Sequence, residues 1–411
     1  MQIETLQTED LQPYDKNAKK HPAKQVDLLA ENIKRFGFTT PVLIDKDNSV
    51  IAGHGRLLAL EKLGRTEVPC VRMEHLSPSE VKALRLADNK IAEMGEWDMD
   101  LAIEELKDLP DDELELTGFD KDLIIEPEEK DDEVPEVPHE PVSVLGDLYE
   151  LGEHRVLCGD STKLEDVEKL MDGKKVDMVF TSPPYNAGRD PMLSERQKKG
   201  KQDNKYEQYD DRQSPEDWSV LVKDSLSAIM AFSEFQFYNV QMLAGNKTEF
   251  LKLLGDYSNQ IVDLAIWNKG HGTPAMAENV MNAAFEFIIV FSGKTNPSRA
   301  IKMGNFRGTV SNVFDIPPQR SNDFSKIHAA TFPVELPTKI LTAMTYEGAK
   351  IIDNFAGTGS TLIAAEKTGR ICYGMELDPK YVDVIVSRYV DYTGNDTIKK
   401  NGQEIVWQKI K

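Results

Sequence analysis

From residue 148 onward, short apolar runs alternate with amphipathic helical stretches, and that alternation restricts the fold more than any other property of the chain. LYELG and HRVLCGD read as strands, VDMVFTSPPY as a strand running into a stiff turn, and PEDWSVLVKDSLSAIMAF as a helix. FQFYNV, IVDLAIWNK and FEFIIVFS are further strands, and LPTKILTAMTYEG is a helix. GAKIIDNFAGTGST passes from strand into glycine turn; LIAAEKTG, RICYGMELD and PKYVDVIVSRYVDYTG follow as helix, strand and helix. Strands separated by helices need crossover connections. The expected fold class is therefore α/β, a doubly wound and mostly parallel sheet covered on both faces.

A smaller α+β unit is expected over residues 1–95. PAKQVDLLAENIKRF places Val26, Leu29, Ile33 and Phe36 at helical spacing, PVLIDKDNSVIAG reads as two short strands, and RLLALEKLG is a helix stopped by Gly64. LSPSEVKALRLADNKIAE adds a helix that Ser77 or Ser79 can cap. Residues 96–141 follow as acidic helices and a linker; EPEEKDDEVPEVPHEP, at 126–141, is too polar and proline-punctuated to build a core of its own. The larger unit spans 142–411.

Charge locates rather than excludes a nucleic-acid partner. Residues 91–140 hold 21 Asp and Glu against three Lys, so the remainder of the chain carries only −3 of the net −21. Cys70, Cys158 and Cys372 are far apart and the seven histidines are scattered, so reduced thiols, no metal and a cytoplasmic location are expected. Nothing resembles a membrane span or a secretory signal.

Two strand ends carry the chemistry. IIDNFAGTGS delivers Asp353 to the carboxyl edge of the sheet, where open α/β sheets bind ligands; Phe355, Gly357 and Gly359 follow, and Thr361 opens a helix. ICYGMELDP ends in Glu376, 17 residues after Gly359, a spacing suited to a carboxylate that accepts ribose hydroxyls. The turn lacks both the GxGxxG form and the Gly-Lys-Ser/Thr of a phosphate loop. It favours a nucleoside without a pyrophosphate, such as S-adenosylmethionine.

The other strand end is TSPPY. An amino group on a base ring is a poor nucleophile, because its lone pair is delocalised, and acceptors must draw it toward tetrahedral geometry. Ser182 Oγ and the Pro183 carbonyl can accept its N–H bonds. Pro183 and Pro184 have no competing N–H and fix the carbonyl's direction, and Tyr185 offers a face for a flipped base.

FTSPPY, DNFAGTGST and GMELDPKYVD together resemble the amino-group DNA methyltransferases, which modify adenine N6 or cytosine N4, in the permuted β-type order with the catalytic motif first. HAATFPVEL, His328–Leu336, is similar to a cofactor-side motif of that family, with Ala329 where proline is usual. The resemblance covers about residues 142–395. It implies that Asp353, Phe355, Gly357, Gly359 and His328 line S-adenosylmethionine, that Glu376 holds its ribose, and that Ser182, Pro183, Pro184 and Tyr185 hold the base, with Asp160 of GDS beside it. No covalent protein intermediate is implied, and Cys70, in VPCVRM, is read as core. Ser before the two prolines is commoner among the cytosine-N4 enzymes, so that base is favoured and adenine stays open. The resemblance also implies double-stranded DNA as partner and allows a homodimer.

Residues 186–215 are long and polar and read either as a disordered surface insert or as a mobile loop closing over flipped DNA, with Arg189, Arg196, Lys198, Lys199 and Lys201 meeting phosphates. Residues 293–327, rich in Lys and Arg, lie where the permuted family places target recognition, with Arg299, Arg307 and Arg320 as readers. In the first unit, IAGHGRLLALEKLG resembles the ParB/sulfiredoxin-like domain of partition proteins and of some phage and mobile-element methyltransferases. Gly53, His54, Gly55 and Arg56 would form a nucleotide-contacting turn at a helix N-terminus; the turn lacks the partition proteins' acid-Arg form. Two other readings are a ParB-like regulatory protein with a degenerate methyltransferase half and a methyltransferase acting on a protein amide.

Overall fold

The computed structural model describes residues 2–92, 94, 97–119, 121–186, 213–273, 281, 283–302, 310–318 and 332–408. The chain divides into two compact units, Met1–Ile125 and Glu126–Lys411.

The first unit is a four-stranded sheet with helices packed on it. Strands β1 (Ile3–Gln7), β2 (Val42–Ile44), β3 (Val50–Ala52) and β4 (Glu67–Arg72) lie in the order β1-β4-β2-β3. Helix α1 (Ala23–Phe36) starts after Pro22 and stops at Gly37; α2 is His54–Lys62 and α3 is Pro78–Ala92. Ser77 and Glu80 form the capping box of α3: the Glu80 carboxylate accepts from the Ser77 amide at 2.8 Å, and Ser77 Oγ from the Glu80 amide at 3.4 Å. Val42, Ile44, Val50, Ala59, Leu60, Val68 and Cys70 form the core. The acidic helices α4 (Met99–Lys107) and α5 (Asp111–Thr117) belong to this unit. There Arg35 pairs with Glu113 at 2.7 Å, and Asn32 Nδ2 donates to the Leu116 carbonyl at 2.9 Å.

The second unit is built on an eleven-stranded sheet, with β5 (Leu148–Leu151), β6 (His154–Cys158), β7 (Met178–Thr181), β8 (Phe235–Val240), β9 (Ile261–Thr273), β10 (Ala283–Ser292), β11 (Val313–Asp315), β12 (Lys350–Asp353), β13 (Ile371–Glu376), β14 (Thr397–Lys400) and β15 (Gln403–Val406). The order is β11-β9-β10-β8-β7-β12-β13-β6-β5-β14-β15. Helices α6 (Leu164–Met171), α7 (Pro215–Met230), α8 (Lys247–Asp256), α9 (Glu335–Met344), α10 (Ser360–Lys367) and α11 (Pro379–Thr393) connect and cover it. Two apolar clusters sandwich the sheet. One gathers Phe180, Ile340, Ile351, Ile363 and Ile385; the other gathers Val179, Trp218, Leu226, Tyr238 and Ile352. Successive residues of β7 and β12 thus point to opposite faces, as burial on both sides requires.

Two expectations are corrected here. The sheet is parallel only through β8-β7-β12-β13-β6, with β11 rejoining parallel on β9; antiparallel hairpins extend both flanks. The terminal hairpin turns on Asn401 and Gly402, both at positive φ, the backbone of a tight two-residue hairpin. Residues 126–141 are also not a free linker. Lys367 Nζ meets Asp131 Oδ2 at 2.5 Å and the Glu126 carbonyl at 2.6 Å, Arg388 Nη2 donates to the Asp131 carbonyl at 2.8 Å, and Val134 is buried. Cations on α10 and α11 hold this stretch by polar contacts, which a count of apolar surface does not register.

Candidate functional site

The carboxyl edge of the parallel strands gathers both motifs. Strand β12 ends in Asp353, which is 1% exposed. Its Oδ1 accepts from Thr181 Oγ1 at 2.7 Å and from the Phe355 amide at 3.2 Å, and its Oδ2 from Thr361 Oγ1 at 2.5 Å. Burial raises its pKa, and those three donors oppose the rise. The carboxylate faces inward and shapes the turn. Phe355 is partly buried against the second cluster.

Gly359 caps α10 at φ 84, and a β-carbon there would sit 3.3 Å from Ile385 of α11. Gly357, at φ 52, borders open space, its nearest neighbour being the Phe355 carbonyl at 4.0 Å. The next strand end meets this turn directly: Glu376 Oε2 accepts from the Gly357 amide and Oε1 from the Asp378 amide, each at 2.9 Å. Partial burial pushes Glu376 up to about 7 despite those backbone donors. Asn354, 2% exposed, has no partner for either polar side-chain atom among the described residues.

Strand β7 pairs in parallel with β12, Ile351 opposite Met178 and Ile352 opposite Val179. The Thr181–Asp353 bond continues that pairing to the strand ends, so the proline elbow and the glycine turn adjoin. Three contacts fix the elbow. Trp218 Nε1 of α7 donates to the Pro184 carbonyl at 2.6 Å, Asn246 Nδ2 to the Tyr185 carbonyl at 2.8 Å, and Asn186, at φ 57, donates to the carbonyls of Gln213 and Gly245. None of these takes the Pro183 carbonyl.

Behind the elbow lies a buried polar network that sequence reasoning missed. Tyr185 Oη donates to Glu286 Oε2 at 2.8 Å and accepts from Asn239 Nδ2 at 2.8 Å; Asn239 also donates to Glu286 at 2.7 Å, and Lys269 pairs with the same carboxylate. Ser182 Oγ lies 2.7 Å from Tyr185 Oη. The tyrosine's one proton is directed at Glu286, so this last bond has Ser182 as donor, and the serine's lone pairs remain as acceptors. Burial, then the Glu286 charge, raise the Tyr185 pKa well above that of a free phenol. A signal for these groups existed: FQFYNV, IVDLAIWNK and FEFIIV each interrupt an apolar strand with one or more polar side chains.

Other expected residues separate. Asp160 follows β6, on the far side of β13 from the elbow, where the Gly159 amide donates to the Glu376 carbonyl at 3.0 Å. It adjoins the glycine turn rather than the base pocket, which corrects that expectation. Arg299 is 78% exposed and pairs with Asp263 at 2.6 Å. Arg189, Arg196, Lys198, Lys199, Lys201, Arg307, Arg320 and His328 lie outside the described residues. All three thiols are buried, and burial pushes Cys70 up to about 11 and Cys158 up to about 12, far from a thiolate nucleophile.

In the first unit, Gly53 (φ 107) leads into α2, where His54 Nε2 accepts from the Tyr14 amide at 3.2 Å and Arg56 Nη1 donates to the Thr40 carbonyl at 3.0 Å. Burial, with help from Arg85 and His21, lowers the His54 pKa and keeps the ring neutral. A cavity of about 440 Å3 opens beside this turn, lined by Asn17, Asn32, Thr40, Arg56, Asp88 and Asn89 among others.

Comparison with known proteins matches both units. Residues 1–90 fit the ParB N-terminal domain. The ParB-like nuclease domain-containing protein YnaK of Escherichia coli (strain K12) is 46% identical over 69 residues, 17% of this chain and 79% of that protein. The type II methyltransferase M.Cfr9I of Citrobacter freundii is 30% identical over 141 residues, 32% of this chain and 44% of that enzyme, so the match spans under half of its length. The solved PvuII DNA methyltransferase (cytosine-N4-specific) aligns with a TM-score of 0.43 and 16% identity over 59% of this chain and 88% of that one. Residues 176–387, more than half of the chain, fit the N6/N4 DNA methylase profile, and the chain belongs to that family, with a ParB N-terminal domain ahead of the methylase unit.

Proposed function

We propose that the second unit moves a methyl group from S-adenosylmethionine to the exocyclic amino group of a base flipped out of double-stranded DNA, cytosine N4 favoured and adenine N6 the other candidate. The Thr181–Asp353 bond carries this reading, because it puts the amino-holding elbow and the ligand-binding glycine turn at neighbouring strand ends. The turn fits the cofactor. Open space at Gly357 admits a close ligand, Glu376 is partly exposed beside it, and Asn354 has polar atoms to satisfy. Bound there, the cofactor supplies an electrophilic methyl group.

The chain's own residues do the rest. Glu376 would accept ribose hydroxyls, with Phe355, Gly357, Gly359 and His328 along the same ligand. Ser182 Oγ and the Pro183 carbonyl would accept the two N–H bonds of the target amino group, leaving its lone pair directed at the methyl. Tyr185 offers its partly exposed ring to the base while its hydroxyl is anchored on Glu286. Arg299, together with Arg189, Lys198, Lys199, Arg307 and Arg320, would meet DNA, and the enzyme would act in the cytoplasm. Duplex DNA incubated with the full chain and methyl-labelled S-adenosylmethionine, then digested to nucleosides, should yield N4-methylcytosine by mass spectrometry. N6-methyladenine would select the other base, and the absence of any methylated nucleoside would reject the reading.

For the first unit, the cavity at Gly53–Arg56 supports a nucleotide ligand, with His54 neutral and Arg56 and the α2 N-terminus facing the phosphates. Titration calorimetry of the full chain with ATP and CTP, against the Arg56→Ala variant, tests it. Equal heats in both proteins would remove the turn from nucleotide binding.

A further inference from the structure

A second cavity of the first unit differs in character from the one at the glycine turn. It measures about 400 Å3 and lies between the loop at residues 14–19 and helix α3. Lys16, Lys19, Lys82, Arg85 and Lys90 line it, with Tyr14 and Leu86, and no carboxylate does. Such a wall is unexpected in a chain of net charge −21. Self-repulsion among Lys16, Lys82 and Arg85 opposes their gathering around one cavity, and an anion placed among them removes that cost.

The floor is built rather than incidental. Arg85 is only 8% exposed; its guanidinium lies 3.6 Å from the centre of the Tyr14 ring, and Nη2 donates to the Val50 carbonyl at 3.2 Å. Its Nε is buried with no partner among the described residues, a donor left for something that enters. The aromatic and the β3 carbonyl hold the guanidinium plane fixed, so a phosphoryl oxygen would meet a pre-oriented donor, with lysines around the rim.

We infer that this cavity binds phosphoryl groups, with Arg85 as its fixed donor and Lys16 and Lys82 as rim contacts. Two sources share that chemistry: the backbone of duplex DNA, and the phosphates of a free nucleotide. The inference does not rest on the nucleotide reading of the glycine turn, since Gly53–Arg56 line only the neighbouring cavity and the two share Asn17 and Asn89 alone.

The test uses the full chain with both exposed lysines replaced, Lys16→Ala and Lys82→Ala, and separately Arg85→Lys, each with its melting temperature checked. In one arm, duplex DNA binding is followed from low to moderate salt; a backbone site predicts that the double variant loses about 0.9 from the logarithmic salt slope for each lysine that meets a phosphate. In the other, pyrophosphate, ATP and CTP are titrated calorimetrically, and a nucleotide site predicts affinity falling about ten-fold or more in each variant, whereas Arg56→Ala leaves pyrophosphate binding in place. A change in the first arm assigns the DNA backbone, and a change in the second assigns a free phosphate ligand. Folded variants that match the parent in both arms overturn the inference.

Discussion

Tyr185 and Glu286 stand 101 residues apart in the chain, and the 2.8 Å bond from the tyrosine hydroxyl to the carboxylate decides what Ser182 can do. With its own proton on Glu286, Tyr185 can only accept from Ser182, and the serine oxygen then faces the pocket as an acceptor. Tyr185→Phe removes that constraint while keeping the ring. Single-turnover methyl transfer should slow by about 10²-fold with cofactor affinity unchanged, and loss of the buried bonds that the Tyr185 hydroxyl makes to Glu286 and Asn239 should cost about 1–3 kcal/mol of stability. An unaltered transfer rate would show that Ser182 needs no such orientation.

The same carboxylate makes an energetic prediction. Glu286 and Lys269 are paired with side chains only 6% and 10% exposed. Glu286→Ala leaves the lysine charge buried alone and should cost about 3–5 kcal/mol in urea unfolding, whereas Glu286→Leu combined with Lys269→Met should restore much of that loss while remaining inactive. If the single and double variants unfold at the same urea concentration, the pair is not coupled.

Glu376 predicts a pH dependence with a definite sign. Burial raises its folded-state pKa to about 7, above the unfolded carboxylate range. Its contribution to stability is therefore complete below about pH 4 and is lost as pH rises through 7. Cofactor binding runs the other way, since ribose hydroxyls need the ionised acceptor. The Kd for S-adenosylmethionine should rise as pH falls below 7, approaching about ten-fold per unit, and Glu376→Gln should flatten that profile. A parent Kd constant from pH 8 to 6 would exclude Glu376 from the contact.

Two glycines of one turn should respond differently to alanine. At Gly359 the new methyl meets Ile385 at 3.3 Å on a backbone at φ 84; at Gly357 it meets open space at φ 52. Gly359→Ala should lose about 1–3 kcal/mol. Gly357→Ala should lose about 1 kcal/mol, chiefly from the backbone conformation, yet weaken cofactor binding more than it lowers the melting temperature. Differential scanning calorimetry with and without S-adenosylmethionine separates the two effects.

The strand-and-helix alternation gave the parallel centre of the sheet and both motif-bearing strand ends, because each apolar run there is buried on two faces and leaves an unmistakable pattern. The terminal hairpin went unread, although Asn401-Gly402 between TIKK and QEIV is a local turn signal. The buried network was harder to read. Asn239, Glu286 and Lys269 come from three strands, and only the pairing of β8 with β10 and of β10 with β9 brings them to one tyrosine. Asp160 was misplaced for a related reason: its local motif carries no information on strand order, which sets β6 beside β13 and away from β7. The acidic stretch 126–141 escaped because its anchors, Lys367 and Arg388, lie more than 200 residues downstream.

That anchoring fixes where the catalytic half can be cut free. Arg388 is 3% exposed, burial lowers its pKa to about 10, and the carbonyl it shares with the acidic stretch belongs to Asp131. A fragment starting at residue 142 would strip a lid from two cations that have no other carboxylate partner among the described residues. One starting at 126 keeps both covered, and is the shortest piece that should express as a stable, separately assayable enzyme.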